Sequence, residues 1–471
     1  MKLVSISALS ALFLSRAAAD EDTKPPVTSE GLQELITERG LMTNLEKLSD
    51  IANDNGGNRA FGHPGYDASV DFIYDELSKL EGFSVWKQDL SAFFANTTAL
   101  GLTVNGESIP AVDLLYSPST PEEGVTRELV LAPEGKAACS VDNYAGIDAK
   151  DKIVLVQRGS CSFAGKVTPA AAAGAVAVIV YNLPDTQTVT GGSLTKPDPN
   201  CVPAVFIDHE SGRALKARLE TGEKLKAHVT MIQDIEERTT QNIIAETDGG
   251  DGTNVIMLGA HLDSVPAGPG INDNGSGTTL ILEVAKALSH FSTNLKVRFG
   301  WWAGEESGLY GSTFYVNNMT DQEIESVLAY LNFDTVSRGF WGVYDGHGNN
   351  GGPAGPDGSG AIEDLFVKYF TAQGLEVTPV PMIYNTDSVP FVDLINKPVG
   401  GIFTGIGEYD TCYHQACDDF ESPVPETITT NAKAVAHVLS VLATSGHELV
   451  PKSTRPRWCS KGQADQVPLQ M

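Results

Sequence analysis

Between Gly259 and Thr278 the chain reads GAHLDSVPAGPGINDNGSGT, which brings His261, Asp263 and Asp273 onto one Pro- and Gly-rich connection. His261 and Asp273 are nitrogen and oxygen donors of the kind that hold zinc. Asp263, two residues from the histidine, is spaced to accept the second ring N–H and fix its tautomer. Short His/Asp patterns also occur in connections whose polar residues only cap a helix, so the run gains weight only from donors further along the chain. AGEESG places Glu305 and Glu306 directly after the apolar KVRFGWW. Adjacent residues leaving a strand point in different directions, so one carboxylate can meet a metal while its neighbour faces a substrate. Taken alone, a Glu-Glu pair is more often a solvated surface pair. Asp334 ends the apolar YLNFD, where a carboxylate buried without a partner is costly. His414 lies in CYHQACD, between two cysteines close enough to clamp its loop, Cys412 and Cys417. His261, Asp273, Glu306, Asp334 and His414 are five zinc-suitable donors at strand-to-loop junctions. With Glu305 as a spare carboxylate, together they point to a two-metal hydrolytic site.

The elements that must carry these donors show in the hydrophobic spacing. Leu41, Leu45, Leu48 and Ile51 recur at helical intervals, as do Val70, Ile73, Leu77 and Leu80 after the loop GGNRAFGHPGY. Gly82 ends the second helix and Phe83 to Trp86 reads as a strand. Val255 to Leu258 is a buried strand delivering His261, Gly277 to His290 an amphipathic helix, and Lys296–Trp302 and Ala329–Phe333 two further buried strands. Strands alternating with helices imply an α/β domain with a mixed, mostly parallel sheet flanked by helices. Its ligands are expected at the carboxyl ends of the strands.

From about Asp113 the texture changes. DKIVLVQRGSCSFAGKVTPAAAAGAVAVIVYN runs strand, glycine turn, alanine-rich helix, apolar strand, a compact α/β unit with its own core. Its His209 and His228 are isolated, and no polar residue falls into a catalytic spacing. The segment reads as an inserted non-catalytic domain.

With 41% hydrophobic and 20% charged residues, the 471-residue chain is globular in composition and long enough for two or three domains. Its net charge of -28 excludes the positive surface that nucleic acid or an anionic membrane requires. Residues 1–19 have a lysine at the start, an apolar centre and small residues before Asp20, the pattern of a signal peptide. No stretch reaches the roughly 18 apolar residues of a membrane span. An exported product, extracellular or vacuolar, is expected, and six cysteines suit that route. Cys412 with Cys417 and Cys139 with Cys161 are the expected disulfides, leaving Cys201 and Cys459. Asn96 and Asn318 are glycosylation acceptors, whereas Asn274 sits too close to the candidate ligands to be modified.

In this order and spacing, HLDS, NDNGSG, AGEESGLYGS, NFD and YH resemble the co-catalytic zinc aminopeptidases that include the vacuolar aminopeptidase Y type and the secreted fungal leucine aminopeptidases. The stretch between the two matching parts resembles the protease-associated domain that members of this family carry as an insertion. The resemblance implies a zinc-dependent exopeptidase fold over 41–112 and 240–450 and a protease-associated domain over 113–237. Residues 20–40 would be a propeptide or arm and 451–471 a C-terminal tail. Carried over residue by residue, Asp273 resembles the bridging carboxylate. His261 and Asp334 would complete one zinc site, and Glu306 and His414 the other. Glu305 resembles the general base acting on a metal-bound water, Asp263 the partner that orients His261, and Tyr413 the phenol that steadies the oxyanion. The implied protein is a metalloaminopeptidase with two Zn2+ per chain, acting on peptides with a free N-terminus; its oligomeric state is open, with a monomer favoured. Many relatives have Arg-Ser-Asp where this chain reads Asn385-Thr386-Asp387 before Pro390-Phe391, so its hold on substrate and its side-chain preference stay open.

Three other readings share these features. A glutaminyl-cyclase-like enzyme uses one zinc, but the presence of both His261 and Asp334 argues for a second. A metallocarboxypeptidase would present a cation for the terminal carboxylate, for which Arg158 and Arg338 are isolated candidates. A non-catalytic binding protein on the same fold would have lost ligands, and none is missing here.

Overall fold

A computed structural model of the chain describes residues 24–184, 191–382, 386–405 and 409–453. The expected leader over 1–19, Asn385, Cys459 and most of the tail lie outside the described residues. The strands in chain order are β1 (Phe83–Val104), β2 (Glu107–Ser108), β3 (Val112–Asp113), β4 (Val125–Leu131), β5 (Ile153–Gln157), β6 (Ala177–Tyr181) and β7 (Ala204–Ile207). They continue as β8 (Lys226–Thr247), β9 (Asp251–His261), β10 (Leu295–Trp302), β11 (Val327–Phe333), β12 (Trp341–Tyr344), β13 (Val377–Val380) and β14 (Val399–Ile402).

These strands form one continuous sheet in the order β13-β12-β14-β11-β9-β10-β8-β4-β5-β6-β7-β3, with β1 paired along β8 and β2 on β1. The centre, β14-β11-β9-β10, is parallel, while β8 joins β10 antiparallel. Two 22-residue strands carry the chain from one half to the other. β1 and β8 pair from Phe83↔Thr247 to Val104↔Ala227, and β8 meets β10 at one end and β4 at the other. This corrects the short strand expected over Phe83 to Trp86: a partner is available along its whole length, and cross-strand pairing sets where a strand ends.

Around the central strands the apolar residues pack as their spacing implies. Leu41, Leu45, Leu48, Val70, Ile73 and Leu77 enter one core with Leu258, Phe299, Leu331 and Phe333. Each fully buried side chain of this size stabilises by about 1.5–3 kcal/mol. The helix Gly277–Leu288 departs from the amphipathic expectation, being buried at every position except Lys286. It lies between the sheet and the helices Glu38–Asp54 and Pro425–Leu449, so it has no free face. Residues 24–40 are packed into this half rather than extended from it. Val27 N–H donates to Ser292 O at 2.9 Å, and Leu32 and Ile36 are buried beneath the helix Ser29–Leu35 and its end.

In the other half, β4 to β7 form a parallel sheet with separate cores on its two faces, one around Val154, Val178 and Phe206 and one around Ile153, Ile179 and Val205. A disulfide joins Cys139 to Cys161, and Cys201 is a buried free thiol 3.5 Å from Thr168 Oγ1. Asn96 and Asn318 are exposed. Asn274 is fully buried, with Nδ2 donating to Phe333 O and Oδ1 accepting from Gly277 N–H, which leaves no room for a glycan.

Candidate active site

Strands β9, β10 and β11 end side by side, since Trp302 pairs with His261 and Asn332 with Gly259. Their carboxyl ends therefore open onto one place, where a parallel sheet receives ligands. The loop after β9 carries Asp273, the turn after β10 carries Glu305 and Glu306, and Asp334 follows β11 directly. His414 arrives from the loop beyond β14, within the segment that the Cys412–Cys417 disulfide closes.

The Asp273 carboxylate stands at the centre. Its Oδ1 lies 3.3 Å from His261 Nε2 and its Oδ2 lies 3.2 Å from His414 Nε2. Asp334 Oδ1 is 3.5 Å from His261 Nε2, and Glu306 Oε2 is 3.1 Å from His414 Nε2. Two donor triads result, His261–Asp273–Asp334 and Asp273–Glu306–His414, each with its ligand atoms within 4.8 Å of one another. A third compatible grouping joins His261 with Glu305 and Glu306. His261 is 1% exposed and His414 20%, so the triads step from the floor of the site to its mouth.

These groups are poorly satisfied by one another. Glu306 Oε1 is buried without a hydrogen-bond partner, and His414 Nε2 makes no aligned hydrogen bond to the carboxylates it faces. Burial pushes Glu306 up, and it pushes Glu305 well above the usual carboxylate range; Glu306, Asp387 and Asp334 add to the effect on Glu305 while His261 opposes it. Burial also favours neutral His414, but Glu306 and Asp273 outweigh it and raise the ring to about 11. For Asp273 the two histidines overcome burial and hold the carboxyl below its ordinary value. Crowded carboxylates and imidazole nitrogens, without a thiolate, are a donor set that fits zinc. Divalent charge would relieve the same repulsion.

The supporting contacts are less visible in sequence. Asp263 is fully buried, and its two oxygens accept from Glu305 N–H at 3.1 Å and Glu306 N–H at 3.3 Å, which fixes the turn bearing both glutamates. Its carboxylate is 3.6 Å from His261 Nδ1, whereas the nearer acceptor for that nitrogen is the Asp263 backbone carbonyl at 3.1 Å. The orienting bond expected from the side chain is thus made by the main chain of the same residue. Asp418, which burial pushes up to about 7, accepts from the N–H groups of Asn272 and Asp273. Beneath the floor, Trp302 Nε1 donates to Tyr330 Oη, Tyr330 to Asn332 Oδ1, Asn332 Nδ2 to Thr386 Oγ1, and Thr386 to Asp334 Oδ2, each at 2.8–2.9 Å. Only glycine fits at position 259, where a β-carbon would lie 2.2 Å from Tyr330 Oη. Tyr413 stacks on His414 with ring centroids 3.8 Å apart, and burial next to Asp273 and Glu306 keeps its phenol protonated.

The rim includes the smaller half of the molecule. Tyr116 Oη donates to Phe93 O at 2.9 Å and approaches Ser307 O at 3.3 Å, two residues past Glu305; Tyr310 Oη reaches Thr195 O at 3.3 Å. The sequence had offered no role for either tyrosine. Arg338 is 3.5 Å from Asp410, which accepts from Asn272 Nδ2 and Cys412 N–H, so its charge is engaged below the loop.

Comparison with known proteins matches residues 242–439 to peptidase family M28 and residues 125–215 to the PA domain. Leucine aminopeptidase 2 of Arthroderma otae is 38% identical over 98% of this chain and 96% of its own length. An aminopeptidase of Pseudomonas aeruginosa is 34% identical over 89% of this chain and 83% of its own. Among solved structures, an aminopeptidase from an Aneurinibacillus strain superposes with a TM-score of 0.77 at 26% identity, covering 91% of this chain and all of that one. A zinc aminopeptidase from Bacillus subtilis gives 0.63 at 25% identity, over 89% of this chain and 97% of its own.

Proposed function

Because the chain belongs to peptidase family M28, carries an inserted PA domain and is a zinc-dependent aminopeptidase, we propose that it works with two zinc ions sharing Asp273. His261 and Asp334 would hold one ion, and Glu306 and His414 the other. The observation that carries this reading is the Asp273 carboxylate, whose two oxygens face the two histidines separately. Zinc, when bound, supplies Lewis acidity toward the scissile carbonyl and toward the attacking water.

The remaining work falls to side chains. Glu305 takes the proton of the attacking water and returns it to the departing amine, a role typically worth about 10² to 10⁴ in rate. Asp263 keeps Glu305 and Glu306 in register through their backbone N–H groups. Tyr413 donates from its protonated phenol to the tetrahedral oxyanion. The acidic site favours a substrate with a free α-amine, and the similarity to leucine aminopeptidases supports an apolar residue there. Residues 1–19 direct export, consistent with two disulfides; among the described residues no helix is long and apolar enough to cross a membrane.

The test is a panel of aminoacyl chromogenic amides and their N-acetylated counterparts, assayed with chelator and after zinc is restored. The expected result is cleavage of free-amine substrates alone, fastest for leucyl, lost with chelator and regained with zinc. Equal cleavage of the blocked compounds would overturn the assignment of the free amine.

A further inference from the structure

The loop from His261 to Asp273 must hold two donors in fixed relation, and between its buried ends at Leu262 and Ile271 it is a run of Pro, Gly and small residues. Its order comes from a residue far away in sequence. Arg59, in the middle of the connection between the helices Glu38–Asp54 and Pro64–Leu77, is fully buried, and its guanidinium reaches this loop. Nε donates to Pro269 O at 2.9 Å, Nη2 donates to Gly270 O at 2.7 Å, and Nη1 donates to Leu262 O. One side chain thereby ties the residue just after His261 to residues three and four positions before Asp273. The backbone joins in: Arg59 N–H donates to Ser264 Oγ at 3.0 Å, and Ser264 N–H donates back to Arg59 O at 3.4 Å.

A buried charge is tolerated when its hydrogen bonds are made and opposite charge is near. Among the described residues no carboxylate pairs with Arg59 at ion-pair distance, and its partners are carbonyl oxygens. Burial lowers the guanidinium to about 10, and Asp263, Asp418 and Asp273 act against that loss of charge. The guanidinium therefore sits as a fixed cation under a site rich in carboxylates, where it offsets part of their repulsion before any metal arrives. Lysine cannot substitute, because an ammonium lacks the planar fork that reaches three carbonyls at once.

We propose that Arg59 is a positioning residue for the metal site, a buried strut and counter-charge that holds His261 and Asp273 at zinc-binding separation. This rests on the reading of those two residues as ligands. The test uses the full mature chain, with zinc as the probe and a chromophoric chelator as competitor, on wild type, Arg59→Lys and Ser264→Ala. Thermal unfolding is recorded with and without zinc. The wild type is expected to bind zinc. Arg59→Lys, folded by circular dichroism, is expected to bind it at least tenfold more weakly, with a smaller zinc-induced rise in Tm. A purely structural role would lower Tm equally in the metal-free and loaded forms and leave zinc affinity unchanged, and that result overturns the proposal. If Arg59→Lys does not fold, Ser264→Ala decides, since it removes the hydroxyl that accepts from the Arg59 N–H and so loosens the seating of the guanidinium against the loop. Several-fold weaker zinc binding supports the proposal and unchanged affinity overturns it. A wild-type chain that takes up no zinc removes the metal-site reading and this inference with it, whereas wild-type binding with an unaffected Arg59→Lys removes the inference alone.

Discussion

Replacing Glu305 by glutamine separates proton transfer from metal binding more cleanly than any other change at this site. The substitution keeps the size of the side chain. It also leaves the turn intact, because Asp263 holds that turn through the backbone N–H groups of residues 305 and 306 rather than through the Glu305 carboxyl. What disappears is the proton acceptor. Loss of a general base costs roughly 10² to 10⁴ in kcat, or about 2.7 to 5.5 kcal/mol of barrier at 25 °C. One carboxylate fewer also relieves crowding around His261, so zinc retention is expected to be undiminished. The assay is kcat on a leucyl chromogenic amide together with metal analysis of the same preparation. Activity within about tenfold of wild type would remove Glu305 from proton transfer. Loss of zinc would instead make Glu305 a ligand, as the His261–Glu305–Glu306 grouping allows.

Tyr413→Phe preserves the stack on His414 and removes one oxyanion donor, so kcat should fall by about 10² to 10³ with zinc content unchanged; steady-state kinetics that show only a KM effect would contradict this. Opening the loop with a Cys412→Ala/Cys417→Ala double variant removes a constraint worth about 2 kcal/mol and frees His414, which sits at φ 58°. Zinc should then dissociate faster, as read by chelator-chase kinetics, and an unchanged rate would show that the loop is held by other contacts. Burial lowers the Lys397 ammonium to about 8. The folded chain therefore binds fewer protons than the unfolded chain between about pH 8 and 10.5, and wild-type stability rises with pH across that window. Lys397→Met should be more stable than wild type by up to about 3 kcal/mol at neutral pH, and denaturant titrations should show the difference shrinking toward about pH 10.5.

The sequence made part of the site legible because three of its residues follow apolar runs. His261, Glu305 and Asp334 follow strands whose hydrophobicity marks them as buried, and parallel strands deliver their ends to one edge. Apart from the Cys412–Cys417 clamp on the His414 loop, the contacts that fix these donors were not legible. Arg59 lies in GGNRAFGHPGY, far ahead in sequence of the loop it ties, and nothing local separates a buried guanidinium from an exposed one. Thr386 bonds Asp334, and Asp418 bonds the backbone of Asp273, across distances that periodicity does not reach. Strand β1 extends to Val104 because β8 accompanies it, a pairing set by the partner rather than by local alternation. The free face expected for the helix Gly277–Leu288 is covered by two other helices, again a consequence of tertiary packing. Leu32, Leu35 and Ile36 give a single turn of helical spacing after a Pro-containing start, too short a period to show that the segment from Lys24 docks against the long C-terminal helix and Ser292.

Sharing of one carboxylate, Asp273, between two zinc ions is tested by metal analysis and calorimetric zinc titration of the purified mature chain and of Asp273→Ala, alongside aminopeptidase assays. Two zinc equivalents per wild-type chain are expected, with both equivalents and activity lost in the variant. Full activity with a single equivalent, or an Asp273→Ala chain that still binds two, would show that Asp273 does not bridge a pair of ions.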